Sequence, residues 1–293
     1  MMGAHMKTVF IAGATGYLGR YLCAEYSRRG WYVIALVRTA KTVGALAASS
    51  VVEAEATQPE SLTGLMDGVD LVVSALGITR QADGVGYRDV DYQANLNLLH
   101  EAERARVGRF AYLHVLNAAA LRDLPLVAAK ADFVAALRSS RIASTVVAPS
   151  GYFSDIEDVL SMARSGRVWL FGSGLTRMNP IHGADLAHVV ADATDAGTAW
   201  QDVGGPETFT QIELAELAFA SIGAPIRITH LPDALRRCAL SLLPWVTPRR
   251  VHGPATFFLS ACAIDMVAPP QGTHRLSEHF KALRDAQGLE VIR

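Results

Sequence analysis

Gly13-Ala14-Thr15-Gly16-Tyr17-Leu18-Gly19 follows the apolar run Val9-Phe10-Ile11-Ala12 and opens a helical pattern that continues through Arg28. A short apolar run, a glycine-rich turn and a helical period in immediate succession predict strand, tight turn and helix. Each glycine has a reason in that geometry. Gly13 can take the backbone angles of the turn, Gly16 lets the main chain approach a diphosphate, and Gly19 lets the helix pack closely on the strand. The first amides of the helix have no partner within it, and its dipole presents a positive end there, so a dinucleotide is the expected ligand. Thr15, Tyr17 and Leu18 complete the set of residues around that diphosphate.

The next strand, Tyr32-Val33-Ile34-Ala35-Leu36-Val37, predicts which dinucleotide. A site for NAD normally places an acidic residue on the adenosine ribose at the end of this strand. Here the residue is Arg38, followed by Lys41 in the same loop. Two cations suit a 2′-phosphate, so the expectation is NADP(H), against the plainer account of a solvated basic loop.

With 293 residues the chain can hold one large α/β domain, or a nucleotide domain with a smaller second lobe. Lys and Arg number 27 against 28 acidic residues, a formal charge of −1, which gives no electrostatic case for nucleic acid. Cys23, Cys238 and Cys262 are widely spaced, without a CxxC pair or a nearby histidine cluster, so a reduced, cytoplasmic setting without a metal is expected. The opening residues 1–6 read as a vector-derived leader and are left out of the fold. No run approaches the ~20 apolar residues of a spanning helix. Apolar residues make up 51% of the chain, which leaves room for an apolar pocket or a partner surface.

Further along, a short strand near Val51-Val52-Glu53, a helix over Glu60–Met66 and the strand Leu71–Ala75 continue the alternation of a doubly wound parallel sheet with helices on both faces. Ala75, Leu76 and Gly77 leave that strand where the cofactor passes. A long helix is expected over Tyr87–Arg106, a fifth strand over Phe110–Val115, a helix over Asp123–Ser139 with Pro125 in its first turn, and a sixth strand over Thr145–Ala148. The sheet thus has six strands, and residues 7–150 form the nucleotide domain. Pro149-Ser150-Gly151-Tyr152-Phe153 follows the last strand, so its backbone should border the nicotinamide; Tyr152 and Phe153 either stack near the hydride or fill the core. Residues 151–293 form a small, mostly helical substrate lobe with elements returning to the sheet. Gly166, Gly172 and Gly174 punctuate a hairpin, and helices follow over Gly183–Thr194, Gln211–Ile222, Pro232–Leu243, His252–Val267 and Leu276–Ala286. The apolar lobe could seat a second copy, as a homodimer, or another protein partner.

Together with Asp91-Tyr92-Gln93-Ala94-Asn95, Asn179-Pro180-Ile181-His182-Gly183-Ala184-Asp185-Leu186-Ala187 and Gly204-Gly205-Pro206-Glu207, these stretches resemble the atypical, extended short-chain dehydrogenase/reductase superfamily. The NmrA-like and isoflavone-reductase-like branches are the most similar, and the resemblance covers almost the whole chain. It implies a Rossmann fold, bound NADP(H) and a small carbonyl, alkene or sugar-like substrate. It also implies that Glu55, where the superfamily often has an aspartate, touches the adenine edge; a surface carboxylate is the competing account.

Typical members carry Tyr-x-x-x-Lys, with the tyrosine as proton donor. This chain has Leu126 four positions before Lys130, so the lysine is present without the tyrosine. That pattern is similar to the isoflavone-reductase-like branch, in which lysine assists hydride transfer to a conjugated or benzylic carbon. Lys130, set among alanines, must find water or a ligand; its three donors suit the nicotinamide ribose hydroxyls, and desolvation could fit it for proton transfer. His114, at the end of an interior strand, is the other candidate proton donor, with a satisfied core histidine as the alternative. His182 is expected to cap or bridge, and Asp185 to stabilise the helix it starts. The resemblance therefore implies an NADP(H)-dependent reductase. The alternatives are a non-catalytic NADP(H)-binding regulator or assembly subunit, which the missing tyrosine would suit, and a nucleotide-sugar epimerase or dehydratase.

Overall fold

A computed structural model of the protein describes residues 6–40, 44–78, 86–247 and 249–286. Its first strand, β1 (Thr8–Ala12), is buried along nearly its whole length, as a strand covered on both faces must be. It runs into helix α1 (Tyr17–Arg28), which buries Leu18, Leu22, Cys23 and Tyr26 at helical spacing. Strands β2 (Tyr32–Val37), β3 (Ser50–Glu53) and β4 (Leu71–Ser74) follow, then helix α2 (Asn95–Arg104), β5 (Arg109–Leu113), helix α3 (Pro125–Ser139) and β6 (Ala143–Pro149). The pairings β1 to β2, β1 to β4, β2 to β3, β4 to β5 and β5 to β6 are all parallel.

The remaining elements are α4 (Phe153–Arg164), β7 (Val168–Phe171), β8 (Arg177–Met178), α5 (Gly183–Ala196), β9 (Trp200–Val203), β10 (Phe209–Thr210), α6 (Gln211–Ile222), β11 (Ile228–Leu231), α7 (Asp233–Val246), α8 (Arg249–Ala261) and α9 (Leu276–Ala286). The main sheet has the order β3-β2-β1-β4-β5-β6-β9. The chain reverses its direction of travel across the sheet between β3 and β4, the topological switch at which doubly wound folds bind nucleotides. It is a seven-stranded Rossmann sheet, one strand larger than the six expected. The added strand is β9, whose Val203 accepts the amide of Ser150 at 2.9 Å.

Other elements also depart from the sequence expectation. Only a single 3-10 turn, Pro59–Leu62, stands where a helix over Glu60–Met66 was expected. The long helix over Tyr87–Arg106 is split: Arg88–Ala94 is wound as a π-helix, and α2 begins at Asn95. The glycines at 166, 172 and 174 do not punctuate a hairpin. Strand β7 pairs in parallel with the distant β11, while β8 pairs antiparallel with β10. Helix α8 starts and ends earlier than His252–Val267, and it passes through Pro254.

The chain divides into two compact units, one running up to Ala148 with Leu186–Gln201, the other comprising Pro149–Asp185 and Asp202–Arg293. In the first, Phe10, Leu98, Phe110, Tyr112, Phe133 and Val146 belong to the core between sheet and helices. In the second, Phe153, Leu160, Leu170, Phe219 and Phe280 pack together. Among the described residues no helix is long and apolar enough to cross a membrane.

Candidate functional site

The turn after β1 is built as its glycines require. Gly13 has φ +82°, and a Cβ there would stand 2.8 Å from the carbonyl oxygen of Ala75. At Gly19 a Cβ would fall 2.0 Å from the carbonyl oxygen of Gly13, so only glycine lets the helix start this close to the turn. Gly16 is the N-cap residue of α1, no side chain caps the helix, and its first turn holds no acidic residue. The amides of Tyr17, Leu18 and Gly19 begin a helix whose positive end suits an anion. Thr15 is exposed beside them, and its carbonyl accepts Arg20 Nε at 3.2 Å.

Arg38 lies exposed one residue beyond β2 and makes no ion pair with any described residue. Lys41, its expected companion, lies outside the described residues. Glu55 is engaged locally: its Oε1 accepts the hydroxyl of Thr57 at 3.0 Å and the Thr57 amide at 3.3 Å, closing a turn. A nearby carboxylate, Glu53, accepts the amide of Ala40 at 2.9 Å and so ties the Arg38 loop to the end of β3.

Beyond β4 the segment Ala75-Leu76-Gly77 is held by buried polar groups. Ala75 donates its amide to Ala12 at 3.0 Å. Ser74 Oγ donates to Asn95 Oδ1 at 2.5 Å, and Asn95 Nδ2 donates in turn to the carbonyls of Val90 and Asp91 at 3.1 and 3.2 Å. Ser74 and Asn95 are fully buried, so this network fixes the carboxyl end of β4 to the π-wound segment. The same segment carries Asp91, also fully buried.

Lys130 projects from α3 toward that carboxylate. Its Nζ lies 3.3 Å from Asp91 Oδ1, donates to the Leu113 carbonyl at 3.2 Å, and reaches the Tyr112 hydroxyl at 3.5 Å, the limit of a hydrogen bond. Thirteen per cent of the Lys130 side chain is exposed. Burial raises the Asp91 carboxyl above its ordinary value, against the pull of Lys130 and the Ile78 amide. Tyr112 is fully buried, and desolvation holds its phenol well above the tyrosine range, so it is a core residue. Leu126 is packed in the first turn of α3, one turn before Lys130.

His114 follows β5 and is 4% exposed. Desolvation, reinforced by the charge of Lys130, lowers its pKa to about 3, so the ring is neutral at ordinary pH. The neutral ring keeps its hydrogen-bonding capacity and stands edge-on to Trp200. Tyr87 is buried as well.

The segment after β6 belongs to the second unit. Pro149 is buried, and Ser150 Oγ donates to the Asn179 carbonyl at 2.5 Å. Gly151 has φ +147° and accepts the amide of Ile181 at 2.9 Å. Phe153 is 2% exposed and packs against His182 and His279. Tyr152 is partly exposed, and its amide donates to Asp155 at 2.9 Å. Asp185 is the acidic residue in the first turn of α5, as expected, and it also ties down a distant segment. Its carboxylate accepts the amides of Thr273 and His274 and pairs with His274 Nδ1 at 2.8 Å. His182 Nδ1 accepts the amide of Ala184, and burial lowers its pKa to about 4.

The sequence reading singled out Lys130 but not Asp91 as its partner. Asp91 lies in a motif noted for its family likeness, and no spacing rule links it to a lysine on another helix. A charged residue at an otherwise apolar helical position, between Val90 and Ala94, was the only signal.

Residues 13–196 match the family described as NAD(P)H-binding. A photosystem II assembly factor of Synechocystis is 24% identical over 78% of this chain and 72% of its own length. The chloroplastic divinyl chlorophyllide a 8-vinyl-reductase of Zea mays is 29% identical over 78% of this chain. A subunit of the mitochondrial NADH dehydrogenase of Arabidopsis thaliana is 25% identical, also over 78%. The match spans 63% of the reductase and 60% of the dehydrogenase subunit. Among solved structures, the NADPH complex of an NADPH-dependent quinone oxidoreductase of Escherichia coli superposes with a TM-score of 0.73 at 21% identity, covering 94% of this chain and 99% of that one. A nucleoside-diphosphate-sugar epimerase of Staphylococcus aureus gives 0.72 at 16% identity over 94% and 100%. These two likenesses establish the fold, which agrees with the superfamily resemblance of the motifs.

Proposed function

We propose that this chain, which belongs to the NAD(P)H-binding family, is an NADP(H)-dependent reductase that delivers hydride to an electron-poor carbon of a small, mostly apolar substrate. The observation that carries the reading is Lys130, a cation held beside the Gly77 loop of a nucleotide-binding fold. In the proposed complex the diphosphate sits on the amides of Tyr17, Leu18 and Gly19, and Arg38 meets the 2′-phosphate. Ala75 to Gly77 flank the cofactor.

NADPH would supply the hydride; the protein's part is placement. Lys130 is ion-paired with Asp91 and donates to the Leu113 carbonyl, and its contact with Tyr112 is marginal, which leaves donor capacity for a ribose hydroxyl. With Tyr112 buried and His114 neutral, the proton would come from Lys130 or water. Relatives named as 8-vinyl-reductases support a conjugated carbon–carbon double bond as acceptor. The reading places the protein in the cytoplasm, a reduced setting that its free cysteines suit.

A second reading, a non-catalytic NADP(H)-binding assembly subunit, is favoured by Leu126 in place of the tyrosine and by the relative named as an assembly factor. Epimerisation ranks third, because it normally needs that tyrosine. Purified protein mixed with NADPH and a panel of enones, quinones and conjugated alkenes separates the first two. Cofactor oxidation lost in Lys130→Ala supports the reductase; tight binding without turnover on any acceptor supports the assembly subunit.

A further inference from the structure

Lys130 shares its carboxylate partner with the nucleotide loop. Asp91 Oδ1 faces Lys130 Nζ at 3.3 Å, while Asp91 Oδ2 accepts the amide of Ile78 at 3.3 Å. Gly77 fits against both side chains: a Cβ there would stand 2.6 Å from Asp91 Oδ1 and 3.2 Å from Lys130 Nζ. One fully buried carboxylate thus touches the lysine of α3 and the backbone leaving β4.

Stability alone is a poor reason for this arrangement. A buried ion pair recovers its desolvation cost only when every lone pair is well satisfied, and an apolar replacement of similar size often does as well. Here Asp91 Oδ1 receives no hydrogen bond of good geometry from any described group, although it lies in the interior. What the carboxylate does achieve is a fixed spacing between the ammonium and the Gly77–Ile78 backbone.

We infer that Asp91 is a positioning residue for the nicotinamide half of the cofactor, locking Lys130 and the Gly77–Ile78 backbone into a single arrangement. The inference rests on the reading of Lys130 as the ribose-binding cation. Asp91 itself touches neither cofactor nor substrate.

The test is calorimetric titration of NADPH and of 2′,5′-ADP, a fragment that keeps the adenosine 2′-phosphate and lacks the nicotinamide ribose. Wild type, Asp91→Asn, Lys130→Met and the double variant are compared. Asparagine preserves the shape and an oxygen for the Ile78 amide while removing the charge. Asp91→Asn is expected to weaken NADPH by about tenfold or more, to leave 2′,5′-ADP within about twofold, and to add little once Lys130 is methionine. Equal weakening of both ligands, no weakening of NADPH, or a loss that persists in full beside Lys130→Met overturns the positioning role. If the wild type binds neither ligand, the proposed function itself fails and takes this inference with it. Should Asp91→Asn not unfold cooperatively, Asp91→Ser carries the test, since it removes the same charge with a smaller polar side chain and must produce the same split between the ligands.

Discussion

At Leu126 an aliphatic side chain occupies the position at which typical members of the superfamily carry their proton-donating tyrosine. It is packed, 9% exposed, one helical turn before Lys130. Leu126→Tyr introduces a phenol there, and a larger group in a filled site costs about 1–3 kcal/mol, which urea unfolding will register as a lower midpoint with unchanged slope. Gly19→Ala acts at the turn: its Cβ meets backbone, the Gly13 carbonyl, which cannot swing aside as a side chain would. Loss of NADPH binding together with a lower melting temperature is expected; a variant that binds NADPH like wild type would detach Gly19 from the diphosphate turn. Glycine roles and the exposed Arg38 were legible in the sequence, because a turn and a strand end are local facts. The buried pair of Asp91 and Lys130 was not, since it joins two helices through tertiary packing. The burial of Phe153 and the Thr57 partner of Glu55 were likewise invisible until the chain is folded.

Elements with a strong period were legible, those whose period is interrupted were not. The fully buried strands β1 and β4 and the amphipathic α1 announce themselves, and Pro125 marks the first turn of α3. Strand β9, Trp200-Gln201-Asp202-Val203, has polar residues at its centre and joins the sheet by backbone pairing, so its apolar content gave no sign of it. The π-wound segment is the most consequential miss, because it changes the helical register just where Asp91 and Asn95 turn inward. Asn95 satisfies Ser74 and two carbonyls from that register. Asn95→Leu strands those groups in the interior, and a loss of about 2–3 kcal/mol in chemical unfolding is expected; a change below ~0.5 kcal/mol would mean that the network does not hold the segment.

For the whole molecule, His114 and His182 pull stability down in acid, while Asp155, whose carboxyl burial pushes up to about 6, offsets part of that loss between about pH 6 and 4. His114 and His182, with pKa values of about 3 and 4, stay neutral in the folded protein, whereas an unfolded histidine titrates near 6.5. As pH falls below about 6.5 the unfolded chain takes up protons that the folded chain refuses, so stability drops down to the folded values and levels off beneath them. Glu25, lowered to about 2 first by its hydrogen bond from Arg28, adds a loss only as pH falls from about 4.5 toward 2. Melting temperature should therefore be flat from pH 7 to 8, with respect to these groups, and decline below 6.5. His114→Gln should flatten part of that decline; an unchanged profile would remove His114 from the explanation. Most of α5 and part of β9 belong to the first unit although they lie beyond Pro149 in the sequence.

Calorimetric titration of NADPH and NADH into wild type and Arg38→Glu measures whether Arg38 grips the 2′-phosphate. A carboxylate at the end of β2 repels a 2′-phosphate and suits a free ribose hydroxyl. Wild type is expected to prefer NADPH by about tenfold or more, and Arg38→Glu to abolish or reverse the preference. No heat with either cofactor, or an equal loss for both on substitution, would contradict it.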